Sequence, residues 1–109
     1  MSKLNLKKEP TLKDFQKYVK DMRIERNFNE ETILEECLLL GEEVGELFKA
    51  IRKHKTRITF DNSNSKVTQV EEEISDVLTM LICVANNAGV DIEQAFRNKE
   101  EINKKRKWS

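Results

Sequence analysis

Apolar residues recur along most of the chain at spacings of three and four, which is the period of an α-helix with one buried side. No segment shows the strict alternation that is typical of a β-strand. The pattern predicts four helices, over about residues 11–25, 29–53, 66–87 and 91–105, with a polar loop, HKTRITFDNSNSK, between the second and the third. The sequence therefore predicts an all-α fold resembling a four-helix bundle, in a single domain over residues 1–109.

Polar residues at the predicted helix ends support these boundaries. Thr11 is expected to cap the first helix, with Asp14 as the acidic partner three residues on. Asn29 is expected to cap the second helix. Gly89 is expected to end the third helix, and Asp91 to begin the fourth. Each of these four ends thus has a residue that can satisfy unpaired backbone groups.

The two central helices are long, and each carries a continuous apolar seam. We expect the seams to face each other in an antiparallel pair. They consist of Ile33, Cys37, Leu40, Val44, Leu47 and Ile51 on one helix, and of Val67, Val70, Ile74, Val77, Leu81, Val84 and Ala88 on the other. The segment VLTMLICVA is apolar nearly all round and needs neighbours on every side, which predicts a homo-oligomer.

The bulk composition restricts the partners and the location of the protein. Charged residues make up 37% of the chain, yet the net charge is zero, which gives no reason to expect a nucleic-acid polymer or a membrane as partner. The first ten residues, MSKLNLKKEP, lack the apolar stretch of a secretory signal, so a cytoplasmic location is expected. Cys37 and Cys83 fall within helical patterns and are expected to be reduced core residues.

A second stripe, one residue out of phase with each seam, carries the candidate chemistry. It contains Glu43 and Glu46 on the second helix, and Glu73 and Asp76 on the third. The neighbouring positions Ala50 and Met80 look buried, and carboxylates in such surroundings cost several kcal/mol each unless they are paired or bind a metal. Four converging carboxylates would repel one another unless cations neutralise them, and hard oxygen ligands favour Mg²⁺, with Mn²⁺ as a substitute. The pattern therefore predicts a metal site.

A ferritin-like di-iron centre also uses helical carboxylates, but it requires Glu-x-x-His pairs. The one histidine, His54, has Ile51 three residues before it, so the sequence excludes this type of centre.

The paired ExxE and ExxD words, within LLLGEEVGELFKAIRK and VEEEISDVLTMLICVANNAGVDIEQAF and followed by the basic segment KEEINKKRKW, resemble the MazG-like all-α nucleotide pyrophosphohydrolases. The resemblance covers about residues 11–108. It implies hydrolysis of a nucleoside triphosphate, a dNTP or a non-canonical NTP, between the α and β phosphates. The products would be a nucleoside monophosphate and pyrophosphate, and the role would be house-cleaning or control of the nucleotide pool.

The resemblance also implies roles for individual residues and an assembly. The four acids would bind Mg²⁺, and Glu42 would act beside Glu43 in catalysis, in orienting the attacking water or in holding a further metal. Lys99, Asn103 and Arg106, which share one face of the predicted fourth helix, would bind the substrate phosphates. A homodimer or a homotetramer is expected.

Two alternatives stay open on the sequence alone. A phosphoribosyl-ATP pyrophosphohydrolase belongs to the same superfamily and shares the chemistry. A non-catalytic helical module, whose acidic stripe binds a basic partner, belongs to a different class.

Overall fold

The computed structural model describes residues 2–59 and 69–108, which form four α-helices and no strand. The helices are α1 (Leu12–Glu25), α2 (Ile33–Lys55), α3 (Val70–Asn87) and α4 (Ile92–Lys104). The all-α prediction is confirmed. Residues 60–66 of the predicted loop and residues 66–68 of the predicted third helix lie outside the described residues. None of the four helices combines the length and the apolar character that crossing a membrane requires.

Reciprocal hydrogen bonds fix the starts of α1 and α2. The Thr11 hydroxyl accepts from the Asp14 N–H at 3.1 Å, and the Asp14 carboxylate accepts from the Thr11 N–H at 2.9 Å, as predicted. The prediction of Asn29 as the second cap is wrong, because α2 is capped by Thr32. Thr32 has Glu35 three residues on to complete the capping box, whereas Asn29 has Thr32 at that position and no acid.

The turn between α3 and α4 is built as predicted around Gly89, which has φ of +69°. The Val90 N–H donates to the Ala85 carbonyl at 2.9 Å and the Gly89 N–H donates to the Asn86 carbonyl at 3.2 Å, which is the Schellman pattern of a helix end. Asp91 then caps α4.

The chain divides into two compact units. The first comprises Met1–Glu31 and Ile82–Ser109, and its buried apolar side chains are Val19, Ile82 and Cys83. The single-domain assignment stays a prediction.

The second unit, Thr32–Leu81, contains α2 and the first part of α3. Its buried apolar side chains are Ala50 and Met80, and two glutamates, Glu36 and Glu73, are buried with them. Half of the buried side chains among its described residues are therefore acidic, which is unusual because a buried carboxylate loses its hydration.

The seams predicted to form the core are partly exposed. Ile74 and Leu81 are 53% and 48% exposed, and Cys37, expected in the core, is also exposed. The inward side of α2 instead follows Glu36, Leu40, Glu43, Leu47 and Ala50, all of them buried or half-buried. This stripe shares Leu40 and Leu47 with the predicted seam. Because it also contains two glutamates, a search for the most apolar face of the helix would not select it.

Thr32→Ala should lower the free energy of unfolding by about 1 kcal/mol, because the Glu35 N–H loses its side-chain acceptor. The mid-helix Thr79 hydroxyl donates only to the Ser75 carbonyl, so Thr79→Ala, the matched control, should change stability by less than about 0.5 kcal/mol. Urea titrations of the two variants measure the difference. Equal losses would show that the cap does not stabilise α2.

Candidate metal centre

Three carboxylates from two helices meet in the second unit. Glu43 projects from α2, while Glu73 and Asp76, three residues apart and so on one face, project from α3. One carboxylate oxygen from each lies within 4.8 Å of the corresponding oxygens of the other two. The inward stripe of α2 thus delivers Glu43 to the place where α3 presents its ExxD pair.

The electrostatic environment opposes ionisation of these acids. Burial, followed by the charges of Asp76 and Glu73, raises the pKa of Glu43 above its usual value. The pKa of Asp76 is also raised, by partial desolvation of its carboxyl first and then by the charge of Glu73, although the residue keeps an exposed surface. The charge of Glu73 therefore destabilises the charged forms of both Glu43 and Asp76, and the charge of Asp76 adds to the effect on Glu43.

Glu73 is the most shielded member of the cluster, with 3% of its surface exposed. Its Oε2 is buried and has no hydrogen-bond partner among residues 2–59 and 69–108. An ionised carboxylate in such a place costs several kcal/mol unless a positive charge compensates it. A divalent cation that prefers oxygen ligands fits this donor set, and Mg²⁺ is such a cation.

Two further acids of α2 lie beside the cluster. Glu46 and Glu42 are exposed, and the charge of each contributes to raising the pKa of Glu43. The structure therefore brings three of the four predicted metal ligands together, with Glu46 adjacent. The metal role of Glu46 and the catalytic role of Glu42 stay predictions.

The three predicted phosphate-binding residues lie in the first unit. Lys99 is exposed on α4, and Asn103 is half-buried in its last turn. The placement of Arg106 on the same helix face is wrong, because α4 ends at Lys104 and the Arg106 N–H donates to the Asn103 carbonyl at 3.1 Å. The Asn103 Oδ1 is a buried atom with no hydrogen-bond partner in the described parts of the chain.

Sequence reasoning missed several polar residues that the structure places in specific surroundings. Glu36 is buried near the start of α2, and the ammonium nitrogen of Lys53 is buried as well. Gln16 and Asn86 pair across the first unit. Only the spacing of Glu36, seven residues before Glu43, could have indicated its inward position.

Converging helix-borne carboxylates in an all-α fold are typical of helical enzymes that use a divalent cation, and comparison with known proteins specifies the family. The model of the MazG nucleotide pyrophosphohydrolase domain matches residues 28–108. The chain therefore belongs to the MazG family and is a nucleotide pyrophosphohydrolase. This confirms the family assignment, and membership of an enzyme family removes the support for a non-catalytic module.

Solved structures agree with this assignment. A candidate pyrophosphatase of Bacillus subtilis, YPJD, is 27% identical with a TM-score of 0.76 and covers 93% of this chain and 100% of its own. The iMazG protein of Vibrio DAT 722 is 31% identical with a TM-score of 0.62, over 86% of this chain and 94% of its own. A Bacillus-conserved MazG protein, described as a nucleotide pyrophosphohydrolase, is 27% identical with a TM-score of 0.66, over 94% and 97%. No curated protein sequence matches.

Glu73→Gln should raise the melting temperature of the metal-free protein, because an amide removes one of three mutually repelling charges and can donate to the other two. The same variant should lose the melting-temperature rise that Mg²⁺ produces in the wild type at constant ionic strength. Glu71→Gln, two residues away on the exposed side of α3, is the control and should keep that rise. Thermal melts with and without Mg²⁺ test both effects, and an unchanged Mg²⁺ response in Glu73→Gln contradicts the metal centre.

Proposed function

We propose that the chain hydrolyses a nucleoside triphosphate, a dNTP or a non-canonical NTP, at the α–β phosphate bond, yielding a nucleoside monophosphate and pyrophosphate. The supporting observation is the convergence of Glu43, Glu73 and Asp76, with a buried and unpartnered oxygen of Glu73, in a member of this family. Mg²⁺ is the proposed cofactor and Mn²⁺ its substitute. Triphosphates are metabolites of the cytoplasm, so a cytoplasmic location and a role in nucleotide-pool control belong to the proposal.

The carboxylates supply the metal ligands. Glu43, Glu73 and Asp76 hold Mg²⁺, and Glu46, one turn beyond Glu43 on α2, is the fourth proposed ligand. These residues would hold Mg²⁺ where it would offset the negative charge of the phosphate oxygens and would favour deprotonation of the attacking water. Glu42 is an exposed acid next to a metal ligand, and its proposed role is to accept a proton from the attacking water and to orient it.

Cationic and amide side chains complete the recognition of the phosphates. A triphosphate carries more negative charge than the metal cancels. We propose that Lys99 and Arg106 neutralise the remaining negative charge, because an ammonium and a guanidinium both donate hydrogen bonds to phosphate oxygens. Asn103 lies between them in sequence, and its Nδ2 group can donate to a phosphate oxygen.

The purified chain with Mg²⁺ should release pyrophosphate, and no orthophosphate, from at least one nucleotide in a panel of ribo- and deoxyribonucleoside triphosphates that includes phosphoribosyl-ATP. Pyrophosphate-specific detection on each substrate measures this. Turnover of phosphoribosyl-ATP alone would assign the alternative enzyme. Orthophosphate release, or no turnover on any substrate, contradicts the proposal.

Glu43→Gln and Asp76→Asn should each lower kcat/KM at least about a hundredfold while leaving helicity unchanged, because each removes a charged ligand from the reaction centre. Glu71→Gln is again the matched control. Circular dichroism and steady-state kinetics compare the three variants. Retained activity in both site variants would place the site elsewhere.

The second unit leaves an apolar surface open on its outer side. Leu34, Leu38 and Phe48 are 68%, 65% and 67% exposed on α2. They lie at spacings of a heptad with Gly41 and Gly45, where an added Cβ would meet no atom within 4 Å. A second copy that presents the same stripe is the proposed occupant, since a two-fold interface pairs identical surfaces and glycines allow helices to approach closely. We propose a homodimer, or a homotetramer made from two such pairs.

Leu38→Glu should shift the protein to a smaller assembly, because it places a charge in the proposed helix contact. Ile24→Glu, at a residue 52% exposed at the end of α1, is the control and should leave the mass unchanged. Light scattering after size exclusion gives the mass of each. A monomeric wild type would contradict the proposed interface.

A further inference from the structure

A polar clamp holds the turn between α3 and α4 against the middle of α1, within the first unit. The Gln16 Nε2 donates to the Asn86 Oδ1 at 2.9 Å and to the Val90 carbonyl at 2.8 Å. The Gln16 Oε1 accepts from the Ile92 N–H at 2.9 Å. The Asn86 Nδ2 returns a bond of 2.9 Å to the Gln16 main-chain carbonyl. The side-chain amide of Gln16 thus uses both its donor and its acceptor side on the turn.

The clamp acts on the first residues of α4. Ile92 is the first residue of this helix, so its N–H has no partner within α4, and Gln16 supplies one. Val90 and Ile92 flank Asp91, whose carboxylate caps the helix through the Gln94 N–H at 2.9 Å. The salt bridge from Lys13 to Asp91, at 3.8 Å, ties α1 to the same position. The cap and the clamp therefore fix both the start and the direction of α4.

Apolar packing does little to hold α4 within the described chain. None of its residues is buried, and Phe96 and Ile102 are 69% and 53% exposed, whereas Ile92, at the start of the helix, is half-buried. The directional hydrogen bonds at its start therefore add to the contact between α1 and α4 in setting its orientation. Hydrogen bonds specify geometry more sharply than apolar contact, because they lose strength quickly as distance and angle change.

We infer that Gln16 is a positioning residue for substrate binding, which fixes the start of α4 and thereby the placement of the phosphate-binding groups that this segment carries. The inference rests on the function proposed for Lys99, Asn103 and Arg106. Gln16 itself touches neither substrate nor metal in this role. It acts through Val90 and Ile92, by holding the helix from its first turn.

Gln16→Ala removes the three hydrogen bonds made by the side-chain amide. We expect KM to rise by about tenfold or more and kcat to change by less than about threefold. The reason is that a less firmly held α4 weakens phosphate binding equally in the ground state and in the transition state. Asn86→Ala should raise KM by a smaller factor, since Gln16 then keeps its bonds to Val90 and Ile92. The substrate is the triphosphate with the highest turnover in the panel above.

Val19→Ala is the matched control. Val19 is 5% exposed on the same helix, so its truncation destabilises the first unit without touching the clamp. Assays run well below the melting temperature of every variant. A KM that rises in Gln16→Ala but not in Val19→Ala supports the inference, whereas equal KM values in the two variants overturn it.

A binding measurement separates this inference from the proposed function. Trp108 is the one tryptophan of the chain, and its indole N–H donates to the Asn103 carbonyl at 3.1 Å, so its fluorescence reports on the end of α4. Titration with Mg²⁺ and the α,β-methylene analogue of each triphosphate in the panel gives Kd values that do not depend on turnover. Wild-type binding without pyrophosphate release would refute the proposed reaction alone. A Kd for Gln16→Ala that equals that of Val19→Ala would refute the positioning role alone.

Discussion

Mutual repulsion among carboxylates at the contact of α2 with α3 is the constraint on which the second unit depends. Folding brings Glu43, Glu73 and Asp76 within 4.8 Å of one another and shields one of them almost completely. Hydrophobic burial in the same unit has to offset this cost, and Ala50 and Met80 are the apolar side chains buried among its described residues. Such a cluster destabilises the protein alone and would become favourable with the proposed cation bound, so the geometry of the fold and the proposed metal binding depend on the same interaction.

Local hydrogen-bonding chemistry made much of the fold predictable from the sequence. Thr11, Gly89 and Asp91 lie where their side chains or φ angles satisfy helix ends within four residues, so short windows contain all the necessary information. The same reasoning failed at Asn29, because a cap competes with its neighbours and Thr32 offers the complete reciprocal box. The periodicity of apolar residues therefore predicted that the helices exist, whereas their boundaries depend on which of several neighbouring residues forms the better cap.

The site was predictable only in part, because the inward face of a helix is a tertiary property. The ExxE and ExxD spacings predicted that Glu43, Glu73 and Asp76 converge, and the structure places these three together. Hydropathy could not show that α2 turns its glutamate-bearing stripe inward, since an adjacent stripe is more apolar. The bond from Gln16 to Asn86 spans 70 residues and leaves no periodic trace in the sequence.

The glycines at positions 41 and 45 link the assembly to the folding of the helix itself. Glycine in a helix interior costs about 1 kcal/mol relative to alanine, and no atom of the described chain occupies the space beside either residue. Helix α2 is therefore weaker as an isolated element than its length suggests. If a second copy fills that space, the stability of each protomer depends on protein concentration. Dilution alone would then lower the stability of the helix that carries Glu43.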